Sequence, residues 1–273
     1  MIRDTGTPEL LCSVDGGVAT LTLNRPEVRN ALSDALSPAL RRMLVELAED
    51  AGVRVLVVTG SGTAFCAGGD ISGMGGARDG QATPPTTTEA MVARLRERQE
   101  TLTLRLAQFP QPTIAALPGP AAGAGLSIAL ACDIRIMADT AFVTTGFRNV
   151  GLPGDYGGSW LLPRLIGPAM AKWLYFTGER VDAARCLQLG IAQQVLPAAE
   201  LAAGTLDLAR DIAAGPPLAI AHMKRNLERA ASGDLQSILA DEAEATVACA
   251  ATADHHEAVA AFMGKRSPHF EGR

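Results

Sequence analysis

The period of apolar and polar positions changes several times along the chain. Over Val18-Ala19-Thr20-Leu21-Thr22-Leu23 the last four residues alternate, which predicts a strand. Residues 10–14 predict its partner, and Asp15-Gly16-Gly17 joins the two as a hairpin. From Ser33, a candidate N-cap, Leu36, Leu40, Met43, Leu44 and Leu47 fall at helical spacing. The β-branched run Val53–Val58 predicts a buried strand that ends in the turn residues Thr59-Gly60-Ser61-Gly62. Residues 72–88, rich in Gly, Pro and Thr, read as a loop. A helix is expected over 89–109, with Met91, Leu95, Leu102, Leu106 and Phe109 on one side. Then come a strand at Thr113–Leu117, a Pro118-Gly119-Pro120 turn, a helix over Ala121–Ala131 and a strand at Asp133–Met137. This alternation implies an α/β layered fold. After about residue 197 the strand signals stop, and helices are expected near 198–214, 217–230, 234–251 and 254–264. The tail stripe of Leu235, Ile238, Leu239 and Ala243 is interrupted by Glu242, and its apolar character points to docking or oligomerisation.

Composition narrows the class. With 48% hydrophobic and 19% charged residues over 273 positions, the chain can bury a sizeable core. A net charge of −5 argues against a nucleic-acid-binding surface spread over the whole protein. Aromatics are scarce at 4%, so a core of Ala, Leu and Val is expected to lean on partner subunits. Cys12, Cys66, Cys132, Cys186 and Cys249 are widely spaced, without a CxxC or a Cys/His cluster. That argues against zinc and suits a reducing, cytoplasmic setting. Met1–Leu11 has neither a signal-peptide nor a transit-peptide pattern, and no run of about 20 strongly apolar residues predicts a membrane span.

Two glycine-containing turns carry the candidate chemistry. Phe65-Cys66-Ala67-Gly68-Gly69-Asp70-Ile71 follows one predicted strand, and Pro118-Gly119-Pro120-Ala121-Ala122-Gly123-Ala124-Gly125-Leu126 follows another. Small residues let a ligand approach the backbone, and free N–H groups at a helix start receive negative charge. If the two turns converge they form an oxyanion hole, where a preorganised donor is worth roughly 3–4 kcal/mol toward a developing enolate. A dinucleotide-binding loop fits poorly, because Gly119–Gly125 does not read G-x-G-x-x-G. There is no Gly-x-Ser-x-Gly elbow, and His222, His255, His256 and His269 all fall in the tail, which argues against a Ser-His-Asp hydrolase.

Four stretches, in this order and spacing, resemble the crotonase (enoyl-CoA hydratase/isomerase) superfamily over nearly the whole chain. They are Leu23-Asn24-Arg25-Pro26-Glu27-Val28-Arg29-Asn30-Ala31-Leu32, Phe65–Ile71, Ala131-Cys132-Asp133-Ile134-Arg135, and Val150-Gly151-Leu152-Pro153-Gly154-Asp155-Tyr156-Gly157-Gly158-Ser159. The resemblance implies a spiral core of ββα units over residues 1–197. It also implies a C-terminal helical trimerisation region over 198–273, the trimer often doubled to a hexamer. It implies acyl-CoA thioester substrates and no metal or redox cofactor, coenzyme A being part of the substrate. By the family pattern the N–H groups of Gly69 and Ala124 bind the thioester oxygen, Ala124 standing where Gly is usual. The CoA moiety would lie along Arg25, Val28, Arg29 and Ala31, with adenine near Ala67, Gly68, Asp70 and Ile71. Phe262 and Lys265 look like the segment that reaches CoA in a neighbouring subunit; alternatively Lys265 and Arg266 are solvated tail charges.

The sequence departs from the family's hydratases where they carry two glutamates for acid–base work, since those positions are Ser127 and Phe147 here. Asp155 remains at the point where isomerase-like members place their base. A single carboxylate suffices for a 1,3-proton shift, and partial burial would raise its pKa toward a useful value. The competing role for Asp155 is to cap the helix that starts near Gly157. Asp133 and Asp70 read as structural, and Glu179 as a first-turn acid. The expectation is an enzyme that shifts a double bond in an enoyl-CoA with Asp155 as base. The alternatives are an enoyl-CoA hydratase with non-standard residues and a non-catalytic acyl-CoA binder. No nucleic acid or membrane is expected as a partner.

Overall fold

The computed structural model describes residues 1–70 and 87–273. Strands β1 (Ile2–Arg3), β2 (Leu10–Asp15) and β3 (Val18–Leu23) pair antiparallel, the last two as the predicted hairpin. Helix α1 (Leu36–Glu49) buries Leu36, Leu40, Met43, Leu44 and Leu47 as the spacing required. Ser33 caps its start as expected, its Oγ accepting from Leu36 N–H at 2.9 Å and its carbonyl from Ser37 N–H. Strand β4 (Val55–Gly60) lies two residues beyond the predicted Val53–Val58. Val53 is instead held in a turn, its N–H donating to the Asp50 carbonyl.

The predicted 89–109 helix is α2 (Thr88–Gln99), a π-helical turn at Glu100–Leu104, and α3 (Arg105–Ala107). Leu102, Leu106 and Phe109 are buried, but Met91 and Leu95 face outward, so the apolar stripe is covered only over its second half. The Ala121–Ala131 helix needs a larger correction. Ala121–Ala122 is a short strand, β6, after β5 (Thr113–Leu117), and only Ala124–Ala131 is helical, α4. The positive φ of Gly123 (53°) separates the two, since an α-helix does not continue through that backbone conformation. All eight residues of α4 are buried, as befits a helix that is apolar all round but for Ser127.

Strands β7 (Ile134–Ala138) and β8 (Phe142–Thr144) precede helices α5 (Gly158–Ile166) and α6 (Pro168–Thr177). Then follow β9 (Val181–Asp182), α7 (Ala183–Leu189) and β10 (Gln194–Leu196). The main sheet runs β1-β2-β3-β4-β5-β7-β10, parallel from β3 onward. A second layer is built from short pieces: β6-β8-β9, with bridges Leu32–Gly69 and Cys66–Ala121. Each turn of chain thus gives one strand to the main sheet and one short piece to the second, a spiral of ββα units.

The tail comprises α8 (Leu201–Ala213), α9 (Pro217–Ala230), α10 (Leu235–Ala250) and α11 (Ala253–Met263). Helix α8 packs on β3, β4, β5 and β7, while α9 buries none of its own residues. Its tether is Lys224, whose ammonium donates to Asp133 at 2.8 Å and to the Gln111 carbonyl at 3.1 Å. Asp133 also accepts from the N–H and hydroxyl of Thr113, a structural role. Of the tail stripe, Ile238 is buried but Leu235 and Leu239 are exposed. Among the described residues no helix is long and apolar enough to cross a membrane.

Candidate active site

The first wall is made of backbone. Leu32 N–H donates to the Gly68 carbonyl at 2.8 Å, and Asp70 N–H donates to the Leu32 carbonyl. In a parallel bridge of this kind the intervening Gly69 N–H faces the other way. A Cβ built on Gly69 would meet nothing within 4 Å among the described residues, so the backbone here is uncovered on its side-chain side. Ala124 opens α4, so its N–H has no acceptor inside the helix. Gly125 explains how the turns come so close: a Cβ there would sit 2.3 Å from the Cys66 carbonyl oxygen. A Cβ on Gly68 would lie 3.5 Å from the Ala124 nitrogen. The two turns expected to converge do so. Ala124 itself lies outside the left-handed region, so its methyl is tolerated. Such an arrangement can bind an anionic oxygen.

Beside this wall is the Arg25–Ala31 turn. Asn30, fully buried, accepts from Arg25 N–H and donates to the carbonyls of Ser61 and Ala64. Ala67 N–H donates to the Arg29 carbonyl, which sets Val28, Arg29 and Ala31 next to Ala67, Gly68 and Asp70. The Arg25 guanidinium donates to the Ala31 carbonyl at 2.7 Å and to Asp70 at 3.0 Å, and pairs with Glu9 at 3.4 Å. Arg25 therefore works as a brace within the turn. Ile71, and residues 72–86 of the expected loop, lie outside the described residues.

The second wall is made of side chains. Asp155 is not a helix cap: α5 is preceded by Gly157 and its N-terminus receives no side-chain bond. The Asp155 carbonyl accepts from Gly158 N–H and from Ser127 Oγ at 3.1 Å. Its carboxyl Oδ1 is buried and has no hydrogen-bond partner among the described residues. Burial pushes the Asp155 carboxyl above the ordinary aspartate range. Such a group can serve as a base near neutrality. Tyr156, buried with a left-handed φ of 50°, donates its N–H to Gln99 Oε1 at 2.9 Å and fixes the loop.

Ser127 and Phe147 occupy the same wall. A Cβ on Gly123 would lie 3.5 Å from the Phe147 ring, which stacks on Tyr175 with centroids 6.1 Å apart. A Cβ on Gly158 would fall 2.7 Å from both Ser127 Oγ and Tyr175 Oη. Tyr175, on α6, is the residue sequence reading missed. Burial and the Asp155 charge push its phenol up to about 12, so it stays protonated. The chain has only two tyrosines, and the fold brings both beside Asp155, which no local sequence signal shows for Tyr175.

Other candidates lie apart from these walls. Phe262 is 84% exposed at the end of α11, with Lys265 in a left-handed conformation (φ 50°) just beyond. No hydrogen bond or ion pair among the described residues joins either to the Arg25–Ala31 turn. Arg266 is not a free tail charge, because it makes a bidentate pair with Glu257 at 2.5 and 2.7 Å. Glu179 is not a first-turn acid: it follows α6 and accepts from the Trp173 indole at 3.0 Å. Burial raises the thiols of Cys66, Cys132 and Cys186 to about 12, which makes them inert. No cluster of His, Cys, Asp and Glu fit for a metal occurs among the described residues.

A spiral of ββα units with two converging N–H turns defines a crotonase-type protein. A solved putative enoyl-CoA hydratase/isomerase from Mycobacterium abscessus superposes with a TM-score of 0.89 at 34% identity, over 97% of this chain and 100% of that one. The enoyl-CoA hydratase/isomerase family model matches residues 13–273, and the chain belongs to that family. It is 36% identical to the 1,2-epoxyphenylacetyl-CoA isomerase of Escherichia coli, over 97% of this chain and 98% of the relative. It is 34% identical to the 2,3-dehydroadipyl-CoA hydratase of the same organism, over 97% and 99%. Similarity of this degree thus spans both isomerase and hydratase names.

Proposed function

We propose that this protein is an enoyl-CoA isomerase in which Asp155 is the base. The carrying observation is the half-buried Asp155, which caps no helix and whose buried Oδ1 has no hydrogen-bond partner among the described residues. Asp155 removes a proton from C2 of a 3-enoyl-CoA. The electrons move onto the thioester oxygen, and the enolate is held by the N–H groups of Gly69 and Ala124. Asp155 then returns the proton at C4, leaving a 2-enoyl-CoA. Ser127 and Phe147 leave no second carboxylate for water activation at the two positions where hydratases carry one. The chemistry needs no cofactor beyond the thioester.

CoA would lie along Arg25, Val28, Arg29 and Ala31 with adenine by Ala67, Gly68, Asp70 and Ile71. Phe262 and Lys265 would come from a neighbouring subunit. Exposed Leu227 and Leu235, both at 74%, together with Phe262 support residues 198–273 as the surface of a trimer or hexamer. The five free cysteines support a reducing, cytoplasmic location.

Likeness to a named hydratase favours a second reading, hydration of a 2-enoyl-CoA. Turnover of crotonyl-CoA against that of a 3-enoyl-CoA separates the two. Isomerisation lost in Asp155→Ala is expected; robust hydration that survives Asp155→Ala would overturn the proposal.

A further inference from the structure

No hydrogen bond among the described residues reaches Asp155 Oδ1, so the backbone must aim this carboxyl. The peptide group that follows Asp155 is held at both ends. Its oxygen, the Asp155 carbonyl, accepts from Gly158 N–H and from Ser127 Oγ at 3.1 Å. Its nitrogen, that of Tyr156, donates to Gln99 Oε1 at 2.9 Å. A peptide is a rigid plane, so pinning both ends leaves the Cα–Cβ bond of Asp155 little freedom to turn.

The two side-chain pins are unequal. Ser127 has one hydroxyl proton and two carbonyls in reach, Asp155 at 3.1 Å and Gly123 at 3.3 Å. Gln99 Oε1 accepts from Tyr156 N–H alone among the described residues. The backbone at this point requires a firm pin. Tyr156 has a φ of 50°, a left-handed conformation uncommon for a bulky residue. Such a conformation persists where its surroundings over-determine it.

Gln99 is anchored for this role. It is the last residue of α2, a helix that buries none of its own residues. The π-helical turn directly after it, Glu100–Leu104, buries Leu102 and Thr103 and packs on α1 and α4. Turns of this type recur at functional sites. Thr103, four residues after Gln99, lies on the same side, its Cγ2 3.6 Å from the Cβ position of Gly157. The two residues therefore hold neighbouring points of the Asp155 loop. Helix α4, on which the π-turn rests, also bears Ala124 and Ser127. The loop is thus tied to the body that carries one of the two N–H donors.

We infer that Gln99 is a positioning residue: by holding the Asp155–Tyr156 peptide it sets the carboxyl at the place from which a proton is taken from C2. The inference rests on the reading that Asp155 is the base. Gln99 acts through the peptide and performs no proton transfer itself.

The test is steady-state isomerisation of 3-hexenoyl-CoA by full-length wild type, Gln99→Leu, Gln99→Glu and Asp155→Asn. Leucine keeps the bulk and loses the acceptor, whereas glutamate keeps an acceptor oxygen. Gln99→Leu is expected to lower kcat roughly ten- to hundredfold, the scale of a misplacement of about 1 Å. KM should stay within about twofold, because the backbone donors that hold the thioester are untouched. Gln99→Glu should restore most of kcat on its pH plateau, which a second carboxylate near Asp155 moves to higher pH. A Gln99→Leu kcat within about twofold of wild type, a loss confined to KM, or a loss that Gln99→Glu leaves unrepaired overturns the inference. Turnover that persists in Asp155→Asn refutes the base and the inference with it. Turnover lost in Asp155→Asn but kept in Gln99→Leu refutes the positioning role alone.

Discussion

The two walls of the site are built differently. On the turn wall, side chains hardly matter. Gly69 and Ala124 present N–H groups, and their places are set by backbone bonds such as Leu32 to Gly68 and Ala122 to Cys66. On the Asp155 wall the backbone is scaffolding and the polar groups are side chains, the Asp155 carboxyl, the Ser127 hydroxyl and the Tyr175 phenol. The turn wall has its polar groups braced, as the Arg25–Asp70 pair illustrates. The Asp155 wall keeps a buried carboxyl oxygen without a partner among the described residues. On the proposed reading, the first wall holds the thioester oxygen and the second acts on the acyl group.

The sharpest break of this comparison is Asp155→Asn. Isomerisation of a 3-enoyl-CoA should fall by about 10²–10⁴-fold, the usual worth of a positioned base. Stability should not fall with it. Burial raises the Asp155 pKa above its unfolded value, so the fold is penalised as pH rises from the unfolded pKa through the folded one. The variant is therefore expected to melt at the same or a higher temperature at neutral pH. In the wild type the rate should rise with pH through the raised pKa, giving an acid limb above the ordinary aspartate range.

Gly125→Ala attacks the other wall. The new methyl would fall on the Cys66 carbonyl, so the turns must part. A loss of about 1–3 kcal/mol in denaturant unfolding is expected, with acyl-CoA affinity falling alongside. Arg25→Ala removes ties to Ala31, Asp70 and Glu9, and is expected to cost about 1–2 kcal/mol. It should raise KM and leave kcat nearly intact. Ala124→Gly is the mildest change. The N–H stays in place, so kcat should change by less than about threefold, at a cost below ~1 kcal/mol in the helix.

The same contrast decides what could be read from sequence. Backbone devices have local signatures. The Asp15-Gly16-Gly17 hairpin, the α1 stripe and the two glycine turns were all legible, because each depends on residues close in the chain. The start of α4 was misplaced because the positive φ of Gly123 is imposed by tertiary pairing, its N–H donating to the Thr144 carbonyl. Exposed Met91 and Leu95 show a helical stripe that nothing among the described residues covers. Asp155 was found through its motif, but that it caps nothing is visible only in three dimensions. Tyr175 lies 20 positions further on and reaches the site only because α6 packs beside the loop at Phe147–Val150. No local pattern joins Tyr175 to Asp155.

The most direct measurement is exchange of the acyl α-protons of a saturated acyl-CoA with deuterated water, which isolates enolate formation from every later step. Wild-type protein should catalyse incorporation of deuterium at C2, and Asp155→Asn should fall to near the uncatalysed rate while still binding the thioester. Undiminished exchange in Asp155→Asn, or no exchange by the wild type with acyl-CoA bound, would contradict Asp155 as the base.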